Sequence, residues 1–431
     1  MYKKSTLSNN LRVISNELKD RESAALGIWV GVGGRFEDDV NKGAAHFLEH
    51  TLFRGSLKYS CNDIKSMIEG VGGNLNAFTG EEQTCYYAKV PAKYFEETLD
   101  ILSDMVFFPM IQKNDIERER TIILEEIKMY HDLPQHYVLE LLDGLIWPDH
   151  PLGKNLAGTK ETVGAMTQAG LRAYHQQYYT PDNIVVSACG NFSHEALVER
   201  LEEKLHNFQG KKTGICLPFQ GEQKKAQVQF FRKPTEQMHV ALGVPGLKTD
   251  HPDTYALALL NIILGGNMSS RLFDELREKR GLAYSIYSTT KTYDDTGLFM
   301  VKAGVDNAKL VDTVELIVKI LRQIKRGGVK DEEFVRGREY FLGQFVLGLE
   351  DTLDHMMWVG ESLIERNRIR TLGEVVYRVN GLTPDDIRRV ASDLFKEKKF
   401  NLAVVGPVKE EQETALRKIM AVDDKKQDKS A

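Results

Sequence analysis

Two histidines and a glutamate within the segment His46-Phe47-Leu48-Glu49-His50 are the residues of this chain best suited to chemistry. Histidines four positions apart lie on one face of an α-helix, so His46 and His50 can bind one metal ion. Glu49 lies beside them, where a carboxylate can take a proton from a water molecule that the metal activates. This spacing arises by chance in roughly a few per cent of such chains, so a third ligand has to decide its meaning.

A buried helix over residues 44–53 is predicted to carry this segment. Four apolar residues follow a helical spacing there and a glycine closes the segment (Phe47, Leu48, Leu52, Phe53 and Gly55). The alternative is that His46 and His50 are histidines of a hydrophobic core, which is the usual role of a single buried histidine.

The candidate for the third ligand is Glu126, in a second predicted helix over residues 115–130. Glu119 and Glu126 are seven positions apart, which is two helical turns, so both carboxylates lie on one face. A catalytic zinc ion needs three protein ligands and an open fourth position for water. Because both glutamates have charged neighbours, the alternative is a solvated helical face with glutamate–arginine ion pairs.

Composition places the chain among ordinary globular proteins. A length of 431 residues suits two or three domains, and 42% apolar and 28% charged residues are typical values. A net charge of −5 argues against a nucleic-acid partner. No run of eighteen apolar residues and no secretory signal is found, so we expect a cytoplasmic protein without a membrane partner. Four widely spaced cysteines are expected to be reduced and structural: Cys61, Cys85, Cys189 and Cys216.

The two halves of the chain follow a similar plan. Residues 171–192 and 387–408 align without a gap at an offset of 216, which places Gly190 on Gly406. Each segment reads as a helix end and an apolar strand, and a helix follows each one. An offset of half the chain indicates a duplicated domain rather than a solenoid. The alternative is a coincidence between two ordinary passages of helix and strand.

The predicted fold class is therefore α+β. We expect two homologous α/β-sandwich domains of about 210 residues, each a mainly antiparallel sheet packed against helices. The predicted boundaries are an N-terminal metal-binding domain at 1–210, a polar linker at 211–226, a C-terminal domain at 227–421 and a disordered tail at 422–431.

Several spaced motifs, in the same order, resemble the inverzincin metallopeptidases, the family of pitrilysin, insulin-degrading enzyme and mitochondrial processing peptidase. The resemblance covers nearly the whole chain. The matching segments, besides 46–50, are 31–34, 72–74, 76–79, 118–120, 125–127, 270–278 and 281–285.

This resemblance implies a zinc endopeptidase with one Zn²⁺ per chain. His46, His50 and Glu126 would bind the zinc ion, Glu49 would be the general base, and Glu119 would be a carboxylate that orients a histidine. The loss of such an orienting group typically costs ~10–100-fold in affinity or activity.

The resemblance also implies where a peptide would bind. Asn76, Ala77, Phe78 and Thr79 would form an edge strand that pairs with an extended peptide, whereas the residues alone are equally consistent with an ordinary sheet strand. Arg277 and Tyr284 would contact substrate near the zinc ion, and the tyrosine hydroxyl could support the tetrahedral intermediate. Without the resemblance, Arg277 would be interpreted as a surface cation.

The chain has two repeats, whereas long members of the family have four. Two-repeat members resemble half of a clamshell whose chamber admits oligopeptides and unfolded segments, and they work as dimers. We expect a homodimer, because one chain carries the metal ligands and also Arg277 and Tyr284. The alternatives are a heterodimer with a separate partner subunit and a non-catalytic scaffold subunit.

Overall fold

The computed structural model describes residues 2–421, so the predicted tail at 422–431 lies outside the described residues. The strands within this range are β1 (Tyr2–Thr6), β2 (Arg12–Glu17), β3 (Ser23–Val30), β4 (Asn74–Thr79), β5 (Thr84–Pro91), β6 (Ile184–Gly190), β7 (Gln227–Arg232), β8 (Gln237–Pro245), β9 (Ala283–Thr292), β10 (Gly297–Asp306) and β11 (Asn401–Gly406).

The α-helices of the same range are α1 (Ala44–Leu52), α2 (Cys61–Glu69), α3 (Phe95–Phe107), α4 (Lys113–Asp132), α5 (Pro134–Ile146), α6 (Lys160–Ala165), α7 (Gln168–Tyr178), α8 (His194–Leu205), α9 (Thr254–Asn261), α10 (Leu310–Gly327), α11 (Asp331–Gly348), α12 (Thr352–Arg366), α13 (Leu372–Asn380), α14 (Pro384–Leu394) and α15 (Glu410–Ala421). Two π-helical turns, Ile262–Gly266 and Phe273–Glu278, lie between α9 and β9.

Two sheets with the same strand plan confirm the α+β class. The first sheet has the order β1-β2-β6-β3-β5-β4, and the second has the order β7-β11-β8-β10-β9. Each sheet contains one parallel pair, β2 with β6 and β7 with β11, and its other pairs are antiparallel. Without β1, the first order corresponds strand by strand to the second. The strands β6 and β11 take equivalent places, as the offset of 216 residues predicts.

Gly190 and Gly406 occupy equivalent places at the ends of β6 and β11. Both have a positive φ, 128° and 152°, in a region that residues other than glycine rarely adopt. A Cβ atom on Gly190 would lie 2.3 Å from the carbonyl oxygen of Ser23. The repeated glycine therefore reflects a backbone turn that both halves need.

Alternating side chains cover both faces of each sheet. In β8, Val240 and Leu242 face a core that includes α9, α10 and α14, whereas Ala241 faces the opposite side. There it meets Leu142 of α5. In the first sheet, one face packs against helices including α1, α3 and α8, and the other face packs against α12.

The two compact units are discontinuous in sequence, because α5 and α12 each pack on the sheet of the other half. Unit 1 comprises residues up to 128, 155–217 and 346–370, and unit 2 comprises 129–154, 218–345 and residues from 371 onward. The predicted segments 1–210 and 227–421 contain the two sheets but not this exchange. An apolar helix face indicates that a helix packs on a sheet, but it does not indicate which sheet. The sequence pattern therefore could not reveal the exchange of α5 and α12.

Within residues 2–421, none of the helices combines the length and the apolar composition that a membrane-spanning segment requires. None of the four cysteines forms a disulfide, and Cys85 and Cys189 are buried whereas Cys61 and Cys216 are partly buried.

Candidate metal centre

Helix α1 begins at a buried carboxylate. Glu37 accepts hydrogen bonds from the backbone amides of Gly43, at 2.8 Å, and Ala45, at 2.7 Å, which no residue inside the helix could satisfy. The Lys42 ammonium lies 3.6 Å from the same carboxylate. Burial nevertheless raises the pKa of Glu37 to about 7, since Lys42 and the two amides offset only part of the desolvation. This arrangement fixes the start of the helix that carries both histidines.

The apolar face of α1 packs into the core of unit 1 and so determines where its histidines point. Phe47, Leu48 and Leu52 are fully buried, whereas the side chains of His46 and His50 keep 13% and 22% exposure. The two imidazole rings are neighbours, with centroids 4.7 Å apart. The predicted helix over 44–53 is thus present at 44–52.

Helix α4 brings Glu119 and Glu126 to the same place. Ile116 and Ile123 bury its apolar face, and Glu119 is itself buried, while Glu126 keeps 23% side-chain exposure. Ligand atoms of His46, His50 and Glu126 all lie within 4.8 Å of one another. Both carboxylates therefore face α1 rather than forming a solvated helical face.

The distances between these atoms fit a metal ion better than hydrogen bonds. Glu126 Oε2 lies 3.8 Å from His46 Nε2 and 3.6 Å from His50 Nε2, which is too long for hydrogen bonding. Ligands about 2.0–2.1 Å from one tetrahedral zinc ion are roughly 3.4 Å apart, close to these values. Burial, helped by the neighbouring His50, lowers the pKa of His46 to about 4, so its ring is a neutral electron-pair donor at pH 7.

Glu119 orients the His50 ring through its Nδ1 atom, the ring nitrogen that does not face Glu126. Its Oε2 atom lies 2.9 Å from His50 Nδ1, and its Oε1 atom accepts a hydrogen bond from Arg54 Nε. Burial would raise the pKa of Glu119, but the hydrogen bonds from His50 and Arg54 outweigh it and hold that pKa below its usual range. An ionised carboxylate makes Nδ1 the protonated nitrogen, which leaves His50 Nε2 free as a ligand.

Glu49 lies on the same helix face, where it meets the edge of the first sheet. Thr79 Oγ1 donates a hydrogen bond to Glu49 Oε2. Burial raises the pKa of Glu49, and the hydrogen bond from Thr79 opposes this effect. A carboxylate of raised basicity beside a three-ligand cluster is suited to accept a proton from water.

The predicted peptide-binding segment forms β4, a strand at the edge of the first sheet. It pairs with β5, placing Asn76 opposite Tyr87 and Thr79 opposite Thr84. Leu75 and Ala77 pack toward the core that contains α1, and Phe78 lies on the opposite face against Trp29. Its role in binding peptide stays a prediction.

Arg277 and Tyr284 lie together in unit 2. Arg277 belongs to the π-helical turn Phe273–Glu278, and its guanidinium lies over the rings of Phe273 and Tyr284, at 4.9 and 5.8 Å. With Glu236 and Asp306 they line an open cavity of about 430 Å³. Tyr284 is 75% exposed, as a residue that contacts a ligand has to be. Their contact with substrate stays a prediction.

Sequence reasoning missed Arg54, Glu37 and the link from Thr79 to Glu49. Arg54 follows His50 by four residues, and this spacing was the available signal. Since α1 ends at Leu52, the helical spacing does not extend to Arg54, and the direction of the Arg54 side chain depends on the backbone after the helix.

Known proteins resemble both halves of the chain. Residues 12–160 match the model of the insulinase family, peptidase family M16, and residues 165–341 match a model described as the peptidase M16 inactive domain. An uncharacterized zinc protease of Bacillus subtilis is 36% identical over 94% of this chain and 98% of its own length. One of Streptomyces coelicolor is 37% identical over 97% of this chain and 92% of its own length.

Solved structures share the fold. A protease from Helicobacter pylori has a TM-score of 0.88 at 23% identity, over 94% of this chain and 99% of its own. A structure from Pseudomonas fluorescens described as a peptidase M16 inactive domain has a TM-score of 0.87 at 20% identity, over 95% and 98%. The identity of 36–37% to the bacterial relatives over nearly the whole chain, together with the matched models, establishes that this chain belongs to peptidase family M16.

Proposed function

We propose that this protein is a zinc endopeptidase that hydrolyses oligopeptides or unfolded segments, acting as a cytoplasmic homodimer of the processing-peptidase type. The observation that carries the proposal is the convergence of His46, His50 and Glu126 within 4.8 Å, with Glu49 beside them. The names of the bacterial relatives, which are zinc proteases, support the same reaction class.

Each residue has a defined task in this proposal. A bound zinc ion would supply a Lewis acid that acidifies water and polarises a peptide carbonyl. Glu49 accepts a proton from the attacking water and returns it to the amine of the leaving fragment. Glu119 holds His50 in the tautomer that binds metal, and Thr79 limits the rotation of Glu49.

An extended peptide would add to the open edge of β4. Backbone pairing there gives affinity with little dependence on sequence. Arg277 and Tyr284 would contact the same peptide, from this chain or from the second subunit. Their exposure and mutual stacking support a role in binding rather than in packing.

Metal content and peptide hydrolysis of the purified protein, measured together, test the proposal. We expect about one zinc ion per chain, cleavage of an unstructured peptide, and loss of cleavage with o-phenanthroline. Glu49→Gln should keep the zinc ion and lose cleavage. A protein without zinc and without cleavage would instead be a scaffold subunit, and full activity in Glu49→Gln would overturn the mechanism.

A further inference from the structure

The side chain of Arg54 forms an ion pair with Glu119, which is not one of the three candidate metal ligands. It follows the end of α1, where the Arg54 amide bonds to the Thr51 carbonyl at 3.0 Å. From this position its Nε–H reaches the Glu119 carboxylate, which is almost fully enclosed, with a side-chain exposure of 4%. We propose that Arg54 is a positioning residue for zinc, because it fixes the carboxylate that orients His50.

The two oxygens of Glu119 have one partner each. Oε2 faces His50 Nδ1, and Oε1 faces Arg54 Nε, so the plane of the carboxylate is held at both ends. A carboxylate with a single partner could rotate about its last side-chain bond, and the acceptor for His50 would then lose its direction. Arg54, just after α1, thereby fixes Glu119 on α4, and Glu119 in turn orients the candidate ligand His50 on α1.

Charge leads to the same conclusion. Glu119 would be a buried anion facing only an imidazole if Arg54 were absent, and an unpaired buried charge is costly. Arg54 keeps 25% side-chain exposure, while its Nε–H donates a hydrogen bond to the buried carboxylate. An arginine is well suited to this task, since its planar group offers directed N–H donors.

The inference rests on the proposed zinc site, and zinc affinity provides a test apart from activity. Competition with a chromophoric chelator should show ~10–100-fold weaker zinc binding in Arg54→Met than in the unaltered protein, the range typical for groups that support a ligand. Arg54→Lys should recover part of the loss. Cobalt(II) in the same site should show an altered visible absorption spectrum in Arg54→Met.

Arg120 offers a matched control on α4. Its guanidinium bonds to the carbonyls of Val163, Gly164 and Met166 and to Glu117, and it lies over the ring of Phe47 on α1, at 5.6 Å; none of these residues is a candidate metal ligand. Arg120→Met should lower the unfolding temperature without a comparable loss of zinc affinity. Circular dichroism of the zinc-free proteins identifies the temperature range in which every variant is folded.

A double variant separates action through Glu119 from a general loss of order. If Arg54 acts through that carboxylate, Arg54→Met should add little to the loss of zinc affinity already caused by Glu119→Gln. Additive losses, or an unchanged affinity in Arg54→Met, would overturn the inference while leaving the zinc site intact. A failure of the unaltered protein to bind zinc would overturn the proposed function itself.

Discussion

Thr79 donates its hydroxyl hydrogen to Glu49, so the last residue of the edge strand β4 is bonded to the candidate general base on α1. A hydrogen bond therefore connects the edge strand proposed to bind peptide with the candidate base. A peptide that orders β4 would also hold the hydroxyl in place, and Oε1 of Glu49 would be the oxygen available for water.

Thr79→Val should lower kcat by about 10-fold with a smaller change in KM, because a misplaced catalytic group costs rate more than binding. Thr79→Ser, which keeps the hydroxyl, should retain most of the activity. Steady-state kinetics on one peptide check both variants. The control is Thr98→Val on α3, whose hydroxyl bonds to the Tyr94 carbonyl and which should affect stability alone. Equal losses in the valine and serine variants would contradict this role.

Glu126 and Glu125 provide a paired test of the third ligand. Glu126 faces the two histidines, whereas Glu125 points to solvent, with a side-chain exposure of 66% and an ion pair to Lys128. Zinc at a hundredfold excess over its Kd should stabilise the unaltered protein by about 2.7 kcal/mol, since it binds the folded state. Thermal unfolding with and without zinc should show that this gain is lost in Glu126→Gln and kept in Glu125→Gln. The reverse pattern would exclude Glu126 as a ligand.

Glu37 makes the stability of the protein depend on pH. Its pKa is 4.5 in the unfolded chain and about 7 in the folded protein, so between these values the folded state binds more protons. Its contribution to the free energy of unfolding is therefore complete below pH 4.5 and is lost as the pH rises through 7. The loss is at most about 3.5 kcal/mol, at ~1.4 kcal/mol for each pKa unit.

Denaturant unfolding of the zinc-free protein at pH 5 and pH 8 measures this effect. The unaltered protein should exceed Glu37→Gln in free energy of unfolding by more at pH 5 than at pH 8. A difference that stays constant or grows with pH would show that Glu37 does not titrate in this window.

Mixed dimers show which subunit supplies Arg277. Both Glu49→Gln and Arg277→Met should be inactive or weak alone, while Arg277→Met should keep normal zinc affinity and stability, because the Arg277 side chain is 44% exposed. If the arginine serves the zinc site of the second subunit, co-refolding the two variants should create one complete site per mixed dimer and restore activity. No recovery would mean that each chain uses its own Arg277, and a monomeric mass in solution would remove the dimer from the proposal.

Helix periodicity predicted which residues of the candidate metal site share a face, and the resemblance assigned these residues to one site. His46, Glu49 and His50 share a face because a helix repeats every 3.6 residues, and the seven-residue spacing of Glu119 and Glu126 gives two more groups on one side of α4. Both helices have strong apolar faces, so their burial orients the polar residues. The strand order repeated because the duplicated segments kept their glycine and their apolar pattern.

The interactions that sequence reasoning missed depend on the tertiary structure. Thr79 reaches Glu49 only because the register of β4 on β5 brings its last residue against α1. Arg54 reaches Glu119 because the chain turns just after α1, and Glu37 caps that helix from outside it. Periodicity describes one element at a time, whereas each of these contacts depends on where a second element lies.

The exchange of α5 and α12 has a consequence for synthesis of the chain. Unit 1 lacks the helix that covers one face of its sheet until residues 346–370 have left the ribosome, although its last strand ends at Gly190. Trp29 and Val185 on that face stay uncovered during this interval. A fragment ending near residue 210 would expose the same surface permanently, so it should aggregate or recruit chaperones. The two sheets therefore cannot mature as independent domains, since the first sheet completes its packing only after residues 346–370 have been synthesised.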